Sequence, residues 1–245
     1  MPERHRVEEV MGTVVSVVVR GEPVVLDEMF AWLHWVDSTF STYKSDSEIS
    51  RLGRNEISLS DCSDEVAVVL EMCEALKNQT IGYFDAWACG SLDPSGLVKG
   101  WSVERASQML FDAGSAEHCI NAGGDVRVRG GAWRIGVAHP LERDALTIVI
   151  EGSDNAVATS GTAERGLHVY DPHTQTPAAE LASVTIVGPD LAYADAYATA
   201  AFAMGLRCRD WLPTLAGHEA YVIDSGGYAW WTDGMPDYAP SLNAR

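Results

Sequence analysis

Apolar positions along the chain switch between two periods. Met11 to Arg20 is rich in β-branched residues and reads as a strand. From Leu26 the apolar residues Leu26, Met29, Phe30, Leu33 and Val36 recur at helical spacing. Phe40 to Arg54 is polar and turn-rich, which predicts a surface loop. A second helix follows, capped by Ser60 or Asp61, with Val66, Val69, Leu70, Cys73 and Leu76 along one face. Gly82 to Asp93 keeps no clean period. A third helix spans about Ser95 to Asp112 and stops at Gly114.

The middle of the chain reads as sheet. His118–Ile120 and Asp125–Arg129 flank Asn121-Ala122-Gly123-Gly124, a turn that needs unusual backbone angles. Trp133–Ala138, Leu146–Glu151, Ala156–Thr159, Gly166–Tyr170 and Ala182–Val187 continue the pattern. An Ala-rich helix covers about Leu191 to Met204 and ends at Gly205, and Arg209 to Ala216 suggests another. Ala220–Asp224 and Tyr228–Thr232 form a hairpin around Ser225-Gly226-Gly227. The tail after Met235 reads as irregular. Strands with helices set between them predict an α+β fold, and no linker splits the 245 residues, so one domain over 1–245 is expected.

Composition narrows the function. With 47% hydrophobic residues the chain is globular rather than disordered. Acidic residues number 35 against 17 basic, a net charge of −18, which disfavours general nucleic-acid binding. A polyphosphate ligand would then need a cation, a helix N-terminus or a few placed Lys and Arg. No apolar run approaches the roughly 18 residues of a membrane span. The five cysteines are scattered without a CxxC pair, and the start lacks an apolar signal region; both suggest a cytoplasmic protein with reduced thiols.

Four constellations could carry chemistry. In Leu92-Asp93-Pro94-Ser95-Gly96-Leu97-Val98-Lys99-Gly100 an acid and a glycine open a helix, whose amides and Lys99 suit an anion. The plain alternative is a capped helix with a surface lysine. Asp195 and Thr199 are four apart on an Ala-rich helix and share one face. Their oxygens suit Mg²⁺ completed by substrate phosphates; alternatively Thr199 bonds its own helix and Asp195 pairs with an Arg. His168, where a strand meets Asp171-Pro172-His173-Thr174, is a candidate base or a structural histidine. Tyr43, in Ser41-Thr42-Tyr43-Lys44, could stack on a flat ring, or belong to a solvated loop.

Taken in order, these segments resemble one family, the ApbE-type FAD:protein FMN transferases. The resemblance runs through Met11-Gly12-Thr13, Phe40-Ser41-Thr42-Tyr43 with Asp46 to Arg51, Gly82-Tyr83-Phe84-Asp85 and Leu92 to Gly100. It continues through Asn121-Ala122-Gly123-Gly124-Asp125, Ala158-Thr159-Ser160-Gly161, His168-Val169-Tyr170-Asp171-Pro172 and Asp195 to Thr199. Two features depart from the family pattern: seven residues separate Asp85 from Asp93, where many members have several tens, and Ser95-Gly96 replaces a Gly pair.

The resemblance implies an ApbE-like (T-fold-like) α+β fold of antiparallel sheets packed with helices. It implies Mg²⁺-dependent transfer of FMN from FAD to a Thr or Ser hydroxyl of an acceptor protein, with release of AMP. By position, Asp195, Thr199 and the Gly96 carbonyl would hold the metal. Met11, Tyr43, Tyr83, Phe84, Asp85, Asp93, Lys99 and Val169 or Tyr170 would line the FAD site, and His168 would join Asp195 in assisting the acceptor hydroxyl. Two other activities fit the same residues: splitting FAD to FMN and AMP with water, and holding FAD without turnover. Family members are often exported lipoproteins; this chain has no lipobox, which again suggests the cytoplasm.

Overall fold

The computed structural model describes residues 3–21, 25–88, 90–162 and 169–244. In chain order the elements are β1 (Glu3–Val10), β2 (Thr13–Arg20), α1 (Leu26–Phe40), α2 (Glu48–Gly53), α3 (Asp64–Gln79), α4 (Ser95–Asp112), β3 (Glu117–Ala122) and β4 (Asp125–Arg129). Then come β5 (Trp133–Ala138), β6 (Leu146–Gly152), β7 (Ala156–Gly161), β8 (Tyr170–Asp171), β9 (Thr176–Pro177), β10 (Leu181–Gly188), α5 (Leu191–Met204), α6 (Cys208–Trp211), β11 (Glu219–Asp224), β12 (Ala229–Trp231) and α7 (Met235–Tyr238).

Eight strands form one antiparallel sheet in the order β1-β2-β3-β4-β7-β10-β11-β12. Alternating side chains serve two cores, as the period of two in a strand requires. Ala156, Ala158, Val184, Ile186, Ala220 and Val222 face one core with helices α1, α3, α4 and α5. Val157, Tyr221 and Ile223 face the other, covered by the separate β5–β6 hairpin and by Met235, Ala239 and Leu242 of the tail. This is the expected α+β arrangement of antiparallel sheet and helices.

Helix α5 is buried nearly all round, consistent with its Ala-rich, unpatterned sequence. Asp190 caps it, accepting from the Ala192 and Tyr193 amides, and Gly205 ends it at φ 61°.

Several expectations need correction. No element was expected over Glu3–Val10, which is a strand at the edge of the sheet, and α2 lies inside the segment read as loop, capped by the Ser47 hydroxyl. Helix α3 starts later than the Ser60 or Asp61 cap implied, at Asp64 with Ser63 in the N-cap position, because residues 59–61 form their own 3₁₀ turn. The segment 209–216 is broken into 3₁₀ and short α turns, with Pro213 interrupting it. Strand pairing near the expected Gly166–Tyr170 segment occurs at Tyr170–Asp171, and 163–168 lie outside the described residues. The tail forms α7 and a further 3₁₀ turn, Pro240–Ala244, rather than irregular chain.

Candidate active site

Two tight turns set one end of the sheet. Val10 pairs with Thr13 across Met11-Gly12, whose φ values are 56° and 68°. Ala122 pairs with Asp125 across Gly123-Gly124, at 58° and 94°. Positive φ at both central residues is the type I′ geometry, whose twist matches that of the strands. Val15 lies opposite Ala122, so the turns sit side by side. A Cβ at Gly123 would collide with the Thr13 hydroxyl, so this contact requires glycine. Both turns line a cleft of about 880 Å³.

Helices α4 and α5 build its floor. A Cβ at Gly100 would stand 2.8 Å from the Asp195 Cβ and nearer still to the Leu191 carbonyl oxygen. That close approach lets the Gly100 N–H donate to Asp195 Oδ2 at 3.0 Å. Lys99 Nζ lies 3.4 Å from the same oxygen and also meets Asp125 Oδ2. Asp195 is 5% exposed and Asp125 1%. Asp125 Oδ1 accepts the Thr159 N–H at 3.0 Å; apart from the lysine, its Oδ2 has no hydrogen-bond partner among the described residues. Thr199, one turn beyond Asp195, brings its hydroxyl to 3.4 Å from that of Ser160. Gly96 packs beside it, with room for a Cβ only at 3.4 Å from Thr199 Cγ2 and 3.2 Å from the Phe84 ring.

The rim is more apolar. After α3 the chain turns through Ile81 and Gly82, and Thr80, wholly buried, pins the turn. The Thr80 hydroxyl donates to the Leu76 carbonyl at 2.8 Å and accepts the Phe84 N–H at 2.9 Å. Phe84 is thereby buried against the floor, while Asp85 pairs with Lys77 at 2.9 Å. Tyr43 stands 97% exposed at the mouth and Tyr170 40%.

Met11, Tyr43, Tyr83, Phe84, Asp85, Asp93, Gly96, Lys99, Val169, Tyr170, Asp195 and Thr199 all line this one cleft. His168 lies outside the described residues. Two expectations change. Lys99 sits between two carboxylates instead of standing clear for an anion, which also replaces the Arg partner considered for Asp195. The start of α4 offers fewer amides than expected: Ser95 N–H is taken by Asp93 Oδ1 at 3.0 Å, and Leu97 and Val98 by the Pro94 carbonyl at 2.9 and 3.1 Å. Asp125 and Ser160 belong to the site but were given no role from sequence. The signal available for Asp125 was an acid heading the otherwise apolar and basic strand Asp125-Val126-Arg127-Val128-Arg129.

Among the described residues no group of three or more His, Cys, Asp and Glu side chains could hold a metal. The floor instead offers two carboxylates and two hydroxyls, all hard oxygens. That set is too small to cage Ca²⁺, whereas Mg²⁺ is commonly held by one or two carboxylates plus substrate phosphates and water. The residues fit such an ion.

An α+β scaffold whose cleft gathers buried acids, hydroxyls, a lysine and aromatic rings has the equipment of an enzyme rather than of a structural module. The chain belongs to the ApbE family, whose model matches residues 11–90 and 88–222. The two matched stretches meet inside the short Asp85–Asp93 segment. A FAD:protein FMN transferase of Vibrio cholerae is 24% identical over 265 residues, covering 80% of this chain and 79% of its own. That alignment is longer than this chain, so the relative carries residues this one lacks. A FAD:protein FMN transferase of Rhodobacter capsulatus is 27% identical over 191 residues, 73% of this chain but 34% of its own. Among solved structures, the ApbE protein of Thermotoga maritima superposes with a TM-score of 0.86 at 22% identity, covering 97% of this chain and 99% of that one. The flavin transferase ApbE of Vibrio cholerae gives 0.84 at 21%, covering 97% and 99%.

Proposed function

We propose that the chain, acting as one domain, is a cytoplasmic FAD:protein FMN transferase. It would move the FMN part of FAD onto a Thr or Ser hydroxyl of an acceptor protein and release AMP. The observation that carries this reading is the floor of the cleft, where Asp195, Asp125 and Lys99 meet beneath a wall of Tyr83 and Phe84. About 880 Å³ is within the usual range of cofactor clefts, roughly 300–1,000 Å³.

In the reaction the acceptor oxygen bonds to the FMN phosphorus, and the bond from that phosphorus to the bridging oxygen breaks. The electron pair leaves with AMP, and the hydroxyl proton passes to a base. Such transfers depend on positioning and charge neutralisation more than on covalent help. Mg²⁺, held by Asp195, Thr199 and the Gly96 carbonyl, would supply positive charge to the pyrophosphate and the leaving AMP. Lys99 offsets one of the two negative charges of Asp125 and Asp195, which lessens their opposition to an anionic substrate. The Gly100 amide fixes Asp195 Oδ2, so that its remaining lone pairs have a set direction. Asp195 or His168 would take the proton. Tyr43, Tyr83, Phe84, Asp85, Asp93, Met11, Val169 and Tyr170 would hold the flavin nucleotide.

The test is incubation of pure protein with FAD and MgCl₂, with and without a polypeptide carrying a flavinylation Thr. Covalent flavin on the acceptor supports the proposal. FMN and AMP formed without acceptor would make it a hydrolase, and intact FAD in both tubes a flavin-binding protein. Asp195→Ala should abolish Mg²⁺-dependent turnover, and undiminished activity in that variant would remove the metal assignment.

A further inference from the structure

One segment beside the cleft holds a backbone conformation its sequence does not favour. Helix α3 ends in a Schellman turn: the Gly82 N–H donates to the Lys77 carbonyl at 2.7 Å and the Ile81 N–H to that of Asn78 at 3.3 Å. The residue just past the C-cap takes the left-handed conformation and is usually glycine. Here it is Ile81, at φ 56°. A β-branched residue is a poor choice there, because its Cβ crowds the following carbonyl. Nor does side-chain burial compensate, since Ile81 is 68% exposed.

We propose that His173 is a positioning residue: its Nε2–H, donated to the Ile81 carbonyl at 3.0 Å, holds this left-handed turn and so sets Tyr83 and Phe84 in the cleft. A carbonyl oxygen only accepts, so Nε2 carries the hydrogen. The imidazole covers the turn closely: a Cβ at Gly82 would lie 3.4 Å from its Cε1 and Nε2, and its ring centre is 4.4 Å from that of Tyr83. His173 is itself anchored. Its N–H donates to Asp171 Oδ1 at 2.8 Å, and Arg207 reaches Asp171 Oδ2 at 3.0 Å. Asp171 is held below the usual carboxylate range: burial alone would raise it, but bonds from His173 and Thr174, and the Arg207 charge, outweigh that. The anchor is therefore ionised at neutral pH. Two distant turns, 80–85 and 171–174, are joined through one imidazole.

The idea rests on the cleft being the FAD site, and the test separates the two. FAD dissociation constants are measured by flavin fluorescence, and amide hydrogen exchange across residues 80–84 by mass spectrometry. His173→Ala should weaken FAD binding about fivefold and speed exchange at 80–84 by a similar factor, the scale of one exposed hydrogen bond. Turnover at saturating FAD should change less than twofold. His173→Gln, which keeps an N–H donor, should restore both to within about twofold. Ile81→Gly in the His173→Ala background should also recover affinity, because glycine takes the left-handed angle unaided. Unchanged exchange in His173→Ala, or no recovery in either of the other variants, overturns the proposal. If the wild type binds no FAD, the reading of the cleft falls, and exchange at 80–84 decides the role of His173 alone.

Discussion

A methyl group at position 100 would land 2.8 Å from the Asp195 Cβ and against the Leu191 carbonyl, so α4 and α5 touch as they do only with glycine there. Gly100→Ala is expected to cost about 3 kcal/mol, at the upper end for an overpacked core site. A lower urea midpoint with an unchanged slope would register it. The same variant should lose flavin transfer more than stability predicts, because the Gly100 amide no longer orients Asp195. Glycines four or more apart in a helix start are visible in a sequence. Which of them meets another helix is not, since that contact spans 95 residues. Asp195 and Thr199 were legible because polar oxygens on an Ala-rich helix need partners. Asp125 was signalled only as an acid heading an apolar and basic strand, and its lysine partner lies on a helix 26 residues earlier in the chain.

At the scale of elements, β3 is fastened to α4 through His118, which is fully buried. Its Nδ1–H donates to the Ser115 carbonyl at 3.0 Å, and its Nε2 accepts the Ser107 hydroxyl at 2.8 Å. Burial, with Arg129 and Arg127 nearby, pushes its pKa down to about 4. An unfolded histidine titrates near 6.5, so between these values the unfolded chain binds the extra proton. The stability from a neutral His118 is thus complete above about pH 6.5 and is lost as pH falls toward 4. The loss should be on the order of 3 kcal/mol. Unfolding midpoints of wild type and His118→Gln, measured from pH 7 to 4, should converge over this window; parallel curves would refute the assignment. Elements such as α4 and α5 could be read from their stop signals, Gly114 and Gly205, and α5 also from its Ala-rich run. Strand β1 could not, because its half-buried face carries the charged Arg6 and Glu8 while Val7 faces solvent, so no hydrophobic alternation marks it. Helix α2 was hidden by its length, six residues held by the Ser47 cap rather than by an amphipathic face.

For the molecule as a whole, one antiparallel sheet separates two cores of unlike construction, helices on one side and a hairpin with the chain's last turns on the other. The tail is structural: Met235 and Ala239 are wholly buried and Leu242 nearly so. Ending the chain at Asp233 should remove on the order of 4 kcal/mol of stability, from the apolar surface of those three side chains. A thermal melt within about 1 °C of wild type would show that the second core does not need them. The cleft takes its walls from both sides, Val98 and Phe84 from the helical core, Ile135 and Val137 from the hairpin. In mechanical terms it is a seam between the helical side and the hairpin side of the sheet. Whatever occupies it bears load across that seam, so a bound nucleotide would act as a rivet, and pulling the hairpin from the sheet should demand more force with the cleft filled than with it empty.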